Sequence, residues 1–200
     1  LVLEGGSIES DGTGTLLTTA ECLLGSNRNP HLSRLGIEAA LAGEFGTDQI
    51  LWLDSGFLEG DDTDSHIDTL ARLCPDDTIL YQSCPDKQDV HFEALQRMAT
   101  ELESFRTRDG LPFRLIPLPW PSPRHNEDGQ RLPATYANFL VINGAVLVPT
   151  YRDDNDAAAL VTIRKAFPGR TVIGVDCLPL IRQHGSLHCI TMQIPKGVLS

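Results

Sequence analysis

The sequence predicts an α/β fold built from repeated ββαβ units, and three observations point to it. The order strand, strand, helix, strand recurs three times along the 200 residues and opens a fourth time. The stretch Val90–Phe105 has a strong helical period, with Phe92, Leu95, Met98, Ala99, Leu102 and Phe105 on one face. Between two apolar runs stands Asn143-Gly144, the signal of a two-residue hairpin turn. The units differ in sequence and spacing, so they are defined by element order.

In the first unit, Leu1–Glu4 and Thr15–Thr18 read as strands joined through Gly5-Gly6 and Asp11-Gly12. Ser33 caps a helix that runs to about Glu44, with Leu35, Ala39, Leu41 and Phe45 among its apolar positions. Gly46 ends it, and Gln49–Leu53 is the third strand. The second unit has strands at His66–Leu73 and Thr78–Gln82, the helix Val90–Phe105, and a strand Phe113–Leu118 after Pro112. The third has strands Tyr136–Ile142 and Ala145–Thr150, a helix Asp156–Phe167 closed by Pro168-Gly169, and a strand Thr171–Val175. Leu187–Ile194 opens the fourth. The proline-rich segment Pro117–Pro133 reads as a functional or disordered loop. No linker divides the chain, so residues 1–200 are read as a single domain, sized to bury one core.

The formal net charge of −11 and a pI near 4.8 argue against nucleic acid, which needs a basic footprint, and favour a neutral or cationic small substrate. No apolar run reaches the length of a membrane span. The chain opens inside an apolar run at Leu1, which reads as a piece of a longer protein. Cys22, Cys74, Cys84, Cys177 and Cys189 form an odd, scattered set without CxxC spacing, which predicts free thiols in a reducing cytoplasm.

Chemistry concentrates in Gly60–Asp68, where four carboxylates and a histidine fall within nine residues. In a strand His66 and Asp68 project together, and Asp64 joins them if the extended backbone starts early. A histidine beside a carboxylate can serve as a general acid/base; the plainer alternative is an Asp-rich turn before a strand. The repeat makes a further alignment. Glu4, His66 with Asp68, Asn138 and Cys189 all stand at or near the first strand of their units. Around a pseudo-symmetry axis they would share one pocket, an arrangement suited to cysteine-based nucleophilic catalysis. Taken singly, each has a bland counterpart: a small buried thiol, a surface carboxylate, an amide that satisfies a corner. His188, adjacent to Cys189 in a strand, should face the other way and be structural, as should the other four cysteines. An EF-hand opening at Asp62 fails, because Ile67 and Leu73 stand where the loop needs Gly and Glu. A zinc site from His66, Asp68, His188 and Cys189 has permissible ligands but requires side chains that diverge in a strand.

Glu4-Gly5-Gly6, Asn27-Arg28-Asn29-Pro30, Gly60–Asp68, Tyr136-Ala137-Asn138-Phe139 and Gly185–Cys189 together resemble the agmatine deiminases and bacterial peptidylarginine-deiminase-type proteins. The resemblance covers nearly the whole chain, here as a C-terminal part. It implies the pentein fold, an α/β propeller of five ββαβ units, of which this chain holds about three and the start of a fourth. It also implies hydrolysis of a guanidinium to a ureido group and ammonia through a covalent thiouronium, without metal or organic cofactor. The reaction it suggests first is agmatine to N-carbamoylputrescine. Peptidyl-arginine or another guanidino deiminase, an amidinotransferase, and a non-catalytic guanidine-binding protein are the alternatives. By position, Cys189 is similar to the family nucleophile and His66 to its general acid/base. Asp68 and Glu4 are similar to its active-site acids, and Asp62, Asp64 and Asn138 to substrate-binding residues. The implied partners are a small cationic guanidino substrate, the N-terminal remainder of the same protein and, for a homo-oligomer, a second copy. Ser65 stands where Gly is common, Asp62 where Glu is more usual, and His184 and Ser186 interrupt the usual glycine-rich run before the cysteine.

Overall fold

The computed structural model describes residues 1–194 and 197–198. It holds three three-stranded sheets. The first is β1 (Ile8–Ser10), β2 (Thr15–Thr19) and β3 (Gln49–Leu53), with helices α1 (Ala20–Leu23) and α2 (Arg34–Phe45) between β2 and β3. The second is β4 (Ala71–Cys74), β5 (Thr78–Gln82) and β6 (Arg114–Leu118), with α3 (Phe92–Ser104) in the crossover. A two-residue ribbon, β7 (Arg124–His125) with β8 (Arg131–Leu132), gives the proline-rich segment its regular structure. The third sheet is β9 (Leu140–Ile142), β10 (Ala145–Thr150) and β11 (Thr171–Asp176), with α4 (Asp156–Ala166) in the crossover. In every sheet the first two strands are antiparallel and the third is parallel to the second. That is the ββαβ topology read from the sequence, three times over.

Successive side chains of a strand point to opposite faces, and this is how the units join. Leu16 packs with Ile37 and Leu41 of its own helix α2, while Leu17 packs with Met98, Leu95 and Leu102 of α3. So α3 lies between its own sheet and the preceding one. The third core repeats the pattern: Ala159 and Ile163 of α4 cluster with Val146 and Val148 of their own sheet and with Leu80 and Leu118 of the second. Each large apolar side chain buried in these seams contributes roughly 1.5–3 kcal/mol. Helix α2 differs. Ser33 caps it and Gly46 ends it in the left-handed conformation, as the sequence predicts, but of its predicted apolar positions only Leu41 is buried. Leu35, Ala39 and Phe45 are exposed, and the buried face runs through Ile37 and Leu41.

Four predicted strands are corrected. Leu1–Glu4 is not a strand; the backbone of Val2 is bonded to the Asn29 side-chain amide, and the first strand is β1. His66–Leu73 splits into a 3-10 turn, Ile67–Thr69, followed by β4. The strand predicted at Tyr136–Ile142 is reduced to β9, because Thr135–Asn138 is irregular and pinned by side chains. Leu187–Ile194 contains a 3-10 turn, His188–Ile190, and no strand, so no fourth sheet opens among the described residues. Nor, among them, is any helix long and apolar enough to cross a membrane.

Candidate active site

The corrected segments are the ones that carry the candidate residues. Between the three sheets lies an open groove of ≈ 1080 Å³, lined by Glu4, Glu9, Asp62, His66, Asp68, Arg72, His188 and Cys189 among others.

Asp68 sits at its floor, fully buried, in the 3-10 turn. Its Oδ2 lies 2.7 Å from His188 Nδ1 and 3.9 Å from Cys189 Sγ. Its Oδ1 is buried with no hydrogen-bond partner among the described residues, and so is His66 Nε2. Orphaned polar atoms of this kind cost free energy until a ligand or water satisfies them. The two residues are in reach of each other's surroundings because Gly6 passes beside both: a Cβ there would stand 2.6 Å from His66 Nδ1 and 2.9 Å from Asp68 Oδ2. His66 Nε2 is 3.8 Å from a Glu4 carboxylate oxygen.

Cys189 and His188 stand in the second 3-10 turn. With three residues per turn, neighbours diverge by about 120° rather than by the 180° of a strand. His188 therefore faces the groove beside Cys189, contrary to the strand-based expectation. Asn138 organises this turn. Its Oδ1 accepts the His188 backbone N–H at 2.8 Å, and its amide group lies 3.4 Å from Cys189 Sγ. The preceding Ser186 is bonded to Tyr151 Oη at 2.9 Å. Although Cys189 is exposed as a residue, desolvation of its thiol raises its pKa above the ordinary value, with a further push from the Asp68 carboxylate. Cys22 and Cys74 are pushed up to about 12 by burial and Cys177 to about 11, as befits inert core thiols.

Arg28 ties the site's edge together. Its Nε reaches both Glu4 carboxylate oxygens at 2.9 and 3.0 Å, its Nη1 reaches Asp64 at 2.6 Å, and its Nη2 donates to Thr63 O at 2.8 Å. The hydrogen bond from Arg28 holds Glu4 below the usual carboxylate range; Asn27 and then Arg28 do the same for Asp64. Asp64 is thus an exposed partner of Asn27 and Arg28 and lies outside the groove lining, whereas Asp62 is exposed at its rim. Asp61 closes the loop by accepting from Thr63 Oγ1 and the Ser65 N–H. Glu4, Cys22 and His66 bring ligand atoms within 4.8 Å of one another. The Arg28 guanidinium on Glu4 opposes a cation there.

Sequence reasoning brought Glu4, His66, Asp68, Asn138 and Cys189 to one place, and the groove contains or adjoins all of them. It passed over Arg28, Glu9 and Arg72, and it gave His188, which lines the groove, a structural role facing away from Cys189. The signal for Arg28 was the Asn27-Arg28-Asn29-Pro30 stretch: Asn27 holds Asp64, Arg28 holds Glu4, and Asn29 holds Val2. The signal for Arg72 was a charge inside an apolar strand.

Residues 1–195 match the family model described as Porphyromonas-type peptidyl-arginine deiminase. The chain is 37% identical over 211 residues to an agmatine deiminase of Pseudomonas fluorescens, covering 97% of this chain and 57% of that protein. It superposes on a substrate-bound agmatine deiminase of C. jejuni with a TM-score of 0.88 at 47% identity, covering 94% of this chain and 55% of the other. An agmatine deiminase of Enterococcus faecalis gives 0.90 at 32% identity, with 98% and 58% covered. The chain therefore spans a little over half the length of the relatives it matches.

Proposed function

The chain belongs to the Porphyromonas-type peptidyl-arginine deiminase family, and from that premise we propose that its groove hydrolyses a guanidinium group to a ureido group and ammonia, with agmatine as the substrate. One observation carries the reading: Asp68, fully buried, has its Oδ1 without a hydrogen-bond partner among the described residues, while its Oδ2 lies 3.9 Å from the Cys189 thiol. A planar guanidinium cation satisfies that oxygen through a charge-assisted hydrogen bond and presents its carbon to Sγ. Glu4, next to His66, supplies a second carboxylate at the groove's edge. The bound cation also addresses the raised pKa of Cys189, since a positive charge beside the thiol favours thiolate.

In the proposed sequence the Cys189 thiolate forms a bond to the guanidinium carbon. The tetrahedral adduct collapses with cleavage of a C–N bond, and His66 protonates the departing nitrogen so that ammonia leaves. A thiouronium remains on Cys189. Water, giving its proton to His66, adds to the same carbon; the C–S bond breaks, and the ureido product and the thiol are released. His66 is suited to both transfers because its Nε2 has no hydrogen-bond partner among the described residues, lies 3.8 Å from a Glu4 carboxylate oxygen and adjoins the groove.

The openness of the groove favours a second reading, deimination of a bulkier tail such as peptidyl-arginine, because Asp62 at the rim is exposed and leaves room beyond it. The test is to incubate the full-length protein with agmatine, free arginine and a peptidyl-arginine and to measure ammonia and ureido product. Release of both from agmatine is expected, with N-carbamoylputrescine as the product. Guanidino transfer to an added amine without ammonia release would make it an amidinotransferase. Tight binding without turnover would make it a binding protein.

A further inference from the structure

Arg72 is a guanidinium 3% exposed in the middle of β4, and among the described residues its carboxylate contact is Glu9, itself 9% exposed. Burying such a pair is expensive, and an apolar pair of the same volume often serves stability as well. Its contacts indicate another use. Arg72 Nη1 donates to the carbonyls of Ala137, at 3.1 Å, and of Phe139. Those are the two residues that flank Asn138. The guanidinium carbon also lies 4.6 Å above the Phe139 ring. Glu9 Oε2 stands 2.9 Å from Arg72 Nε and forms an ion pair with it. Nε therefore serves Glu9 while Nη1 serves both carbonyls of the 137–139 backbone.

Asn138 in turn holds the nucleophile, through the His188 N–H and the contact to Cys189 Sγ. Arg72 lies four residues after Asp68 on the same segment. It therefore couples the stretch that presents the carboxylate to the stretch that presents the amide, and the amide to the thiol. The charges of Arg72, His188 and Asp68 act on Glu9.

We propose that Arg72, braced by Glu9, is a positioning residue for the reaction: it fixes Asn138, and through Asn138 the orientation of Cys189. This rests on the nucleophilic role assigned to Cys189 above. Lysine cannot replace it, because a single ammonium on a flexible stem does not span two carbonyls and a carboxylate with fixed geometry.

The test uses the full-length enzyme carrying Arg72→Lys, Asn138→Ala and their combination, and a charge-balanced Arg72→Met/Glu9→Gln variant that leaves no unpaired buried ion. Two quantities are read: kcat and KM, and the pH profile of Cys189 alkylation by iodoacetamide, followed on the Cys189 peptide by mass spectrometry. Arg72→Lys should lower kcat by about 10–100-fold with KM within about 3-fold, the scale of a small misplacement of reacting groups. It should shift the alkylation profile in the same direction as Asn138→Ala. On the Asn138→Ala background the added loss should be under about 2-fold, because residues acting through one another are not additive. The charge-balanced variant should show the same alkylation shift. A multiplicative effect of the two single changes, or an alkylation profile unchanged in Arg72→Lys and in the charge-balanced variant, overturns the proposal. Alkylation is independent of turnover, so absence of deiminase activity in the wild type would count against the function and leave this test intact.

Discussion

Gly6→Ala is the sharpest single perturbation available at the site. The backbone at Gly6 does not need a left-handed conformation, so alanine fits the chain itself. Its Cβ does not fit the surroundings. It would stand 2.6 Å from His66 Nδ1, 2.9 Å from Asp68 Oδ2 and 3.1 Å from Asp68 Cγ, where ordinary contact begins at 3.4 Å. Relief requires displacements of roughly 0.5–0.8 Å. Neither neighbour yields easily. Asp68 is fully buried and anchored to His188, and His66 is 8% exposed. A misplacement approaching 1 Å at reacting groups costs about 10²-fold in rate. Overpacking costs about 1–3 kcal/mol in stability. The assay is kcat/KM for agmatine in the full-length enzyme beside a thermal melt. The neighbouring Gly5→Ala serves as the control, because a Cβ there meets nothing within 4 Å. Gly6→Ala should lose about two orders of magnitude while Gly5→Ala stays within about 3-fold of wild type. A Gly6→Ala enzyme with wild-type kinetics would refute the placement of His66 and Asp68 in the reaction.

Three further outcomes are expected. Cys189→Ala should abolish turnover with the fold intact, whereas Ala at Cys22, Cys74, Cys84 or Cys177 should cost at most about 1–3 kcal/mol and preserve activity, read by melts and kcat. Because burial and Asp68 raise the Cys189 pKa, the free enzyme should hold a neutral thiol at pH 7. Its alkylation should accelerate at a pH above that of an ordinary thiol, and an unreactive guanidinium cation should move that profile to lower pH; a profile insensitive to the cation would contradict substrate-assisted thiolate formation. Asp62→Asn should lower the preference for agmatine over free arginine by several-fold, about 1 kcal/mol for an exposed pair, measured as the ratio of kcat/KM values. An unchanged ratio would show that Asp62 does not read the tail.

The regular parts of the fold were legible because they obey simple periods. β3, β5 and β10 fall where the apolar runs put them, and α3 presents the face that its 3.6-residue repeat predicts. Leu35, Ala39 and Phe45 were counted with Leu41 among the apolar positions of α2, yet these three are exposed. Periodicity reports that a face is apolar, not that something among the described residues covers it. The site resisted reading for another reason. Residues 65–73 are buried without interruption, so the apolar–polar alternation there is not an inside–outside alternation. His66, Asp68 and Arg72 are buried polar groups that serve the groove and the loops around it. A period-2 pattern then arises across a 3-10 turn; the wrong direction for His188 has a separate origin, a second 3-10 turn at His188–Ile190 read as a strand. The chemical grouping survived these errors because Glu4, His66, Asp68, Asn138 and Cys189 stand where units begin, and that placement depends on topology rather than on local conformation.

The positions that depart from the family pattern carry a physical rationale of their own. Ser65 and His184 both lie in the left-handed region, at φ 61° and 65°. A glycine adopts that conformation freely; another residue gives up about 1–2 kcal/mol to do so. Each side chain returns something glycine cannot. Ser65 Oγ donates to Glu21 at 2.9 Å, fixing the Asp61–Asp64 loop to α1. His184 Nδ1 meets the Gly60 carbonyl at 2.8 Å and so joins the segment before Cys189 to the loop that carries Asp62. Net hydrogen-bond contributions near 1 kcal/mol offset most of the strain. What remains is a mechanical difference. With glycine at both positions these two ties would be lost; with Ser65 and His184 the rim loop is joined to α1 and to the segment that precedes Cys189, in addition to the bonds that Arg28 makes to the loop and Asn138 to the turn of Cys189. Asp62 stands on the loop that His184 holds and Cys189 on the turn that follows His184, so the protein itself fixes how the groove's acidic rim sits relative to its thiol.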